Sequence, residues 1–253
     1  MRFETQEALL IWLIGHFGET FHHHAILKGG MVLRLLDSPR STNDVDFVFV
    51  PYASRKEIRD QVRESLDGIE GMVWSDRIDS RAWRILVKHG GQNAQVEITV
   101  SESCASFPVS TGPLARSHGL PGKVVRVVDL PVGLSNKLAA WNERRLWRDV
   151  HDLWFLHSVK GTRLDFPTLD GRLERVVPRR GKPRSMNRSE LVQELRAAAN
   201  GIDPVAMAQE LGDTIPREDL VGMDARLATA LSRLAYDLEA SVDPPTNLPE
   251  ARS

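Results

Sequence analysis

"STNDVDFVFV", residues 41 to 50, sets two aspartates two positions apart at the head of an apolar run. Side chains alternate along a strand, so Asp44 and Asp46 share one face while Val45, Phe47 and Phe49 share the other. A carboxylate beside a core is costly unless water or positive charge offsets it. Two readings follow: a solvated strand end, or a cation held between the acids. Stems two residues apart are separated by about 6 to 7 Å. Carboxylates so placed can jointly hold a pair of divalent ions about 3.5 to 4 Å apart. Mg²⁺ suits such a site, because it takes few carboxylate oxygens and fills its shell with water and phosphate.

Upstream, "ILKGGMVLRLL" (26 to 36) reads as a short strand ending at Gly29 and Gly30, where a helical pattern begins. Glycine allows backbone N–H groups to approach a ligand closely, and a helix start favours phosphate. Thirteen residues separate Gly30 from Asp44, room for a short helix and a return turn. Further upstream, Leu9, Leu10, Leu13, Ile14 and Phe17 recur at helical spacing and predict a core-facing helix over 5 to 17. Downstream, 54 to 67 reads as an exposed helix, followed by "MVWSDRI", "WRILVKH" and "AQVEITV", three segments rich in β-formers. "GGQN" marks a hairpin between the last two. The expectation is an α/β (α+β) domain over residues 1 to 122 with a small mixed or antiparallel sheet. Residues 105 to 122 read as a long loop, and "KVVRVVDL" as one further strand.

Helical patterns dominate afterwards, at 131 to 158, 189 to 199, 203 to 211 and 222 to 240, with Asp129 and Pro131 as start signals. A mainly helical second domain is therefore expected over 123 to 240, and a disordered tail over 241 to 253. If one helix spans 137 to 152, Lys137, Trp141, Arg144 and Arg148 form a single stripe, with Asp152 and Asp149 beside it. The bland alternative is local pairing of Arg145 with Asp149 and of Arg148 with Asp152.

The chain has 253 residues, 42% hydrophobic and 26% charged, and a formal net charge of −1. A global pull toward nucleic acid or membrane is thus excluded, and basic surface must be local. The lone Cys104 leaves no internal disulfide and no thiolate metal cage, which fits a cytoplasmic protein. Glu4 and Glu7 precede the short apolar patch at the N-terminus, so it reads as an amphipathic helix and not as a leader or membrane span. His22, His23 and His24 are consecutive and cannot all face one ion.

The order strand, GG, helix, turn, DxD resembles the signature of polymerase-beta-type nucleotidyltransferases. More closely, "LKGGMVLRLL" and "PRSTNDVDF" resemble the AbiEii/AbiGii abortive-infection toxin nucleotidyltransferases, joined in the right order by "LSNKLAAW" and "RRLWRDVHDLWFL". The patches lie between about residues 25 and 157. The resemblance implies that Asp44 and Asp46 bind Mg²⁺, two ions in all, and that Lys28, Gly29, Gly30, Lys137 and Arg148 bind the NTP. It also implies a third carboxylate on a neighbouring strand; Glu97, which interrupts the apolar "QVEITV", is the candidate, with Asp76 and Asp79 behind it. Asp149 and Asp152 would be the acids of the second motif helix. Met31 and His151 depart from the family's commoner threonine and tyrosine.

Residues 172 to 188, "RLERVVPRRGKPRSMNR", carry seven Arg and Lys against one Glu. Arg179, Arg180, Lys182 and Arg184 could dock RNA phosphates, or simply be solvated. Together these features predict a Mg²⁺-dependent toxin that transfers NMP from an NTP to RNA, the tRNA 3′ end first among acceptors. A separately encoded antitoxin is the partner the resemblance implies. The rival readings are an aminoglycoside-type small-molecule nucleotidyltransferase and a catalytically silent nucleotide-binding protein.

Overall fold

A computed structural model describes residues 3–79, 82–179 and 182–242. The chain forms two compact units, Met1–Asp129 and Leu130–Ser253. The first unit is built on a seven-stranded mixed sheet. In chain order its elements are α1 (Gln6–Phe21), β1 (Ala25–Lys28), α2 (Gly30–Leu35), β2 (Asp44–Phe49), α3 (Arg59–Asp67), β3 (Val73–Ile78), β4 (Trp83–His89), β5 (Gln92–Val100), β6 (Ser106–Ser110), α4 (Gly112–Ser117) and β7 (Val124–Val128). The spatial order is β3-β4-β5-β2-β1-β7-β6. β2 lies at its centre, antiparallel to β1 and parallel to β5.

The alternation in β2 decides which way the sheet faces. Val45, Phe47 and Phe49 are buried, and α1 covers that face. Phe17 of α1 stacks on Phe47 with ring centroids 5.1 Å apart, and Phe21 meets Phe49 edge-on at 5.0 Å. Burying each such ring contributes about 1.5–3 kcal/mol, enough to fix the register of the strand. Thr5 starts α1 early by accepting a hydrogen bond from the Ala8 N–H. The opposite face carries Asp44 and Asp46, both only half-buried. Gly90 and Gly91, at φ of 56° and 87°, make the two-residue turn joining β4 to β5.

The sheet is larger than its β-propensities suggest. Residues 105 to 122, expected as a loop, contain β6 and α4. β6 pairs with β7, and β7 runs parallel to β1, so the first unit extends past residue 122 to Asp129. Pro108 and the glycines further on, Gly112, Gly119 and Gly122, obscured β6; Pro is tolerated there because β6 is an edge strand. The exposed helix expected from residue 54 begins only at Arg59.

The second unit is helical: α5 (Leu130–Arg144), α6 (Trp147–Trp154), α7 (Phe166–Leu173), α8 (Arg188–Asn200), α9 (Pro204–Leu211) and α10 (Met223–Val242). A π-helical turn, Phe155–Val159, extends α6. α8 and α10 bury Leu191 and Leu195 together with Leu227, Leu231, Leu234 and Leu238. Asn187 and Glu190 close a reciprocal capping box at the start of α8. The helical pattern over 131 to 158 is broken at Arg145, whose φ is 57°, within the "WNERR" stretch where a bend was the alternative to one continuous helix. Such a backbone costs a non-glycine residue about 1–2 kcal/mol. The Arg145 side chain offsets it by donating to Asn142, lying 4.5 Å over Trp141 and pairing with Glu194 at 3.0 Å. The expected tail begins within α10, which runs to Val242; residues 243–253 lie outside the described residues. Among the described residues no helix is long and apolar enough to cross a membrane.

Candidate active site

Four charged residues fall in one row across four neighbouring strands. Lys28 at the end of β1 is opposite Asp46 of β2, Asp46 is opposite Glu97 of β5, and Glu97 is opposite Arg84 of β4. Directly paired residues project to the same side of a sheet, so the row reads plus, minus, minus, plus across the face that α1 leaves uncovered. Asp44 lies two residues before Asp46 on that face, opposite Gln95. Thr42 donates its hydroxyl to Asp44 Oδ1 at 2.6 Å, which orients this carboxylate at the strand's entry.

The glycine pair is fitted to Asp46. Gly29 has φ of 77°, a backbone that side chains rarely adopt. A Cβ placed on it would overlap the Asp46 carboxylate and lie 2.9 Å from its Cγ. A Cβ on Gly30 would lie 3.0 Å from Thr42 Oγ1 and 3.1 Å from an Arg40 guanidinium nitrogen. Backbone and carboxylates therefore meet with no side chain between them. Arg40 is buried, carries the loop into β2 and donates to the Ser41 carbonyl at 3.2 Å. Sequence reasoning gave it no role, although it opens the "RSTNDVDF" motif.

The remaining acids of this unit divide clearly. Asp76 is opposite Ile85, on the buried side of the sheet, where it accepts from Arg63 at 2.9 and 3.0 Å and from Trp83 Nε1 at 2.9 Å. Asp79 pairs closely with Arg84. Arg84 also donates from Nε to Glu97 at 3.0 Å. Burial works against the charge of Arg84, yet Glu97 and Asp79 hold its pKa above the ordinary value. Among the described residues no three His, Cys, Asp or Glu side chains gather closely enough to enclose a metal ion. Asp44 and Asp46 alone still present hard oxygens beside an open glycine backbone. That donor set fits a divalent cation whose other ligands are water and phosphate.

In the helical unit the expected single stripe does not form, because the break at Arg145 separates Lys137 on α5 from Arg148 on α6. Lys137 Nζ instead reaches Asp152 Oδ2 at 2.5 Å, with the Asp152 side chain wholly buried. Arg144 holds Asp149 through two bonds, of 2.6 and 3.1 Å. Neither of the expected i,i+4 pairs occurs as the main contact of these acids. Burial pushes the Asp149 pKa up, against the pull of Lys137 and Arg144, and Asp152 adds to the rise. His151 is fully buried, its ring nitrogens without a hydrogen bond and Nδ1 3.7 Å from Asp152 Oδ1. Arg148 is exposed, its backbone N–H bonded to Glu210.

The basic stretch is less free than its composition suggests. Arg172 pairs with Glu143, Arg188 with Asp170, and Arg184 sits 3.8 Å from Glu194. Arg179, Lys182 and Arg184 are exposed, on a segment closed by a β-bridge between Val176 and Arg184. Arg180 lies outside the described residues.

A family model for the nucleotidyl transferase AbiEii toxin of type IV toxin–antitoxin systems matches residues 17–237. The chain belongs to this family. It is therefore a nucleotidyltransferase that uses an NTP, and membership implies an antitoxin as partner. The fold agrees with solved structures of low sequence identity. MenT4, a nucleotidyltransferase toxin from Mycobacterium tuberculosis, superposes with a TM-score of 0.56 at 18% identity, over 93% of this chain and 86% of that one. JHP933 from Helicobacter pylori gives 0.50 at 14% identity, over 94% and 92%. A search of curated proteins finds no significant match.

Proposed function

We propose that this AbiEii-family enzyme transfers NMP from an NTP to the 3′ hydroxyl of an RNA, a tRNA acceptor end foremost, in a Mg²⁺-dependent reaction. The supporting observation is the juxtaposition of Asp44 and Asp46, on an open sheet face, with the side-chain-free backbone at Gly29. Asp44 and Asp46 would hold the metal, with Glu97 as the further ligand once it leaves Arg84. Bound there, Mg²⁺ would supply positive charge to acidify the acceptor hydroxyl and to offset the charge of the departing pyrophosphate.

The 3′ oxygen forms a bond to the α-phosphorus as the bond from that phosphorus to the α,β-bridging oxygen breaks. Pyrophosphate leaves, and the hydroxyl proton passes to a carboxylate oxygen of Asp46 or Glu97. The Gly29 and Gly30 backbone accommodates the phosphates without steric obstruction, and Lys28 supplies positive charge at the same row. Lys137 and Arg148 take the triphosphate roles that the family motifs give them, with Asp152 and Asp149 holding the cations of the helical unit in place. Arg179, Arg180, Lys182 and Arg184 attract the RNA backbone.

Incubating the protein with each labelled NTP, Mg²⁺ and total tRNA tests this directly. Label should appear at RNA 3′ ends and vanish with EDTA and in Asp44→Asn or Asp46→Asn. Undiminished transfer by both variants would refute the site assignment. Transfer indifferent to removing the charges of Arg179, Lys182 and Arg184 would point to a small-molecule acceptor. Nucleotide binding without pyrophosphate release would indicate a silent protein.

A further inference from the structure

Next to the carboxylate row, the first unit contains a small cavity of about 220 Å³ lined by Ala53, Ser54, Arg55, Thr99 and Val100. Thr99 lies two residues beyond Glu97 on β5 and projects from the same face, so the cavity begins about 6 to 7 Å from the Glu97 stem. Arg55 is its one charged group, and the Thr99 hydroxyl is already committed to the Phe47 carbonyl at 3.1 Å. Among the described residues Arg55 makes no hydrogen bond or ion pair, and its Nη1 is buried without a partner. Ser54 Oγ accepts from the Lys56 N–H at 3.2 Å, which leaves its own hydroxyl proton to give. No carboxylate lines the cavity. A half-buried guanidinium with unspent donors costs free energy until an acceptor arrives. Arg63 also has a buried nitrogen without a partner, Nε, but its charge is met by Asp76, whereas Arg55 has no acid among the described residues. At this volume the cavity is smaller than the roughly 300–1,000 Å³ typical of whole-ligand pockets and suits a single anionic group.

We propose that Ser54 and Arg55 form a phosphate subsite for the acceptor strand, taking the phosphate on the 5′ side of the terminal nucleotide. This rests on the RNA-acceptor reading above. The spacing suits it: a terminal ribose hydroxyl placed at Asp46 and Glu97 leaves the same nucleotide's phosphate about two strand residues away, toward Thr99. Arg55 is then a binding residue for the acceptor and plays no part in moving the proton or holding the NTP.

The test uses the full-length protein and two RNA acceptors of one sequence, one carrying a neutral methylphosphonate at that phosphate. With wild-type protein the neutral linkage should raise the acceptor KM about tenfold, the scale of one charge-assisted hydrogen bond. Arg55→Gln should raise the KM of the ordinary RNA equally, feel no further penalty from the methylphosphonate, and lower the salt slope by about 0.7. The NTP KM and kcat should hold, and Arg55→Lys should recover part of the loss. A wild-type enzyme indifferent to the methylphosphonate overturns the proposal, whatever Arg55→Gln does to folding. A rise in the NTP KM in place of the RNA KM overturns it too, assigning the cavity to the nucleotide. Should the wild-type protein transfer nothing to RNA, the functional reading fails separately. Fluorescence anisotropy of the same labelled RNAs then decides the subsite: equal binding by wild type and Arg55→Gln rejects it, and about tenfold weaker binding supports it.

Discussion

The open face of the sheet and the core of the helical unit both contain pairs of aspartates, and they treat them in opposite ways. Asp44 and Asp46 stand two residues apart on one strand, half-buried, with Glu97 the next residue in the row. Asp149 and Asp152 are 2% and 0% exposed, and each has its own cation, Arg144 at 2.6 Å and Lys137 at 2.5 Å. Where water and ligand can reach, the fold tolerates like charges side by side. Where they cannot, it pairs each acid one to one, because an uncompensated buried charge costs several kcal/mol. Removing a charge should therefore damage chemistry in the first place and folding in the second.

Asp44→Asn and Asp46→Asn should show the first behaviour most strongly. Transfer should fall by about 10³-fold or more, since metal and phosphate charge lose their anchor. Stability by urea unfolding should change by no more than about 1 kcal/mol, because relieving repulsion balances lost contacts. A variant that unfolds while the surviving folded fraction keeps its rate would reverse the contrast.

Lys137→Met should show the second behaviour, destabilising by about 3–5 kcal/mol because Asp152 is left buried without its cation. Adding Asp152→Leu should restore most of that stability without restoring transfer. If the double variant is no more stable than Lys137→Met alone, the pairing in the helical unit is not what holds it. Gly29→Ala comes next, with about 1–3 kcal/mol from the left-handed backbone and the overlap with Asp46. Its transfer rate should drop further than its stability, as the Asp46 carboxylate must turn away to make room.

The same contrast explains what could be read in advance. Alternation in "DVDFVF" fixes which face of β2 is apolar, and α1, with its Phe17 and Phe21, follows from helical spacing alone. Glu97 stood out because a lone charge in an apolar strand needs a reason, and it lies opposite Asp46. The hold of Arg84 on it was invisible, since a neighbouring strand's register is set by tertiary pairing. β6 was hidden by Pro108, and α7 by its short length between loops. In the helical unit the single stripe was conditional on one helix over 137 to 152, and a bend near "WNERR" was the alternative; the structure has that break, at Arg145. The turn is held by Glu194, distant in sequence, and it exchanges every expected ion pair of Asp149 and Asp152 for another.

The smallest expected effect concerns pH and separates the two kinds of acid within the helical unit itself. Burial lifts the Asp149 pKa above its ordinary 3.8 although Lys137 and Arg144 oppose the rise. Between 3.8 and the raised value the folded protein keeps a proton that the unfolded chain has released, so stability falls as pH climbs through that window and is level above it. Asp170 behaves oppositely. Its hydrogen bond from Arg188 lowers its pKa, so its contribution is present above 3.8 and is lost as pH falls through the lowered value. Asp149→Asn should remove the first trend and leave the second. Measured by urea unfolding at intervals from pH 3 to 7, wild type should lose stability relative to the variant as pH rises above 3.8 and then run level with it. A gap that moves the other way would mean that Arg144 and Lys137 outweigh burial at Asp149. The helical cluster would then be a place where paired charge is a net gain, and the division between the two regions would lie in ligand access alone.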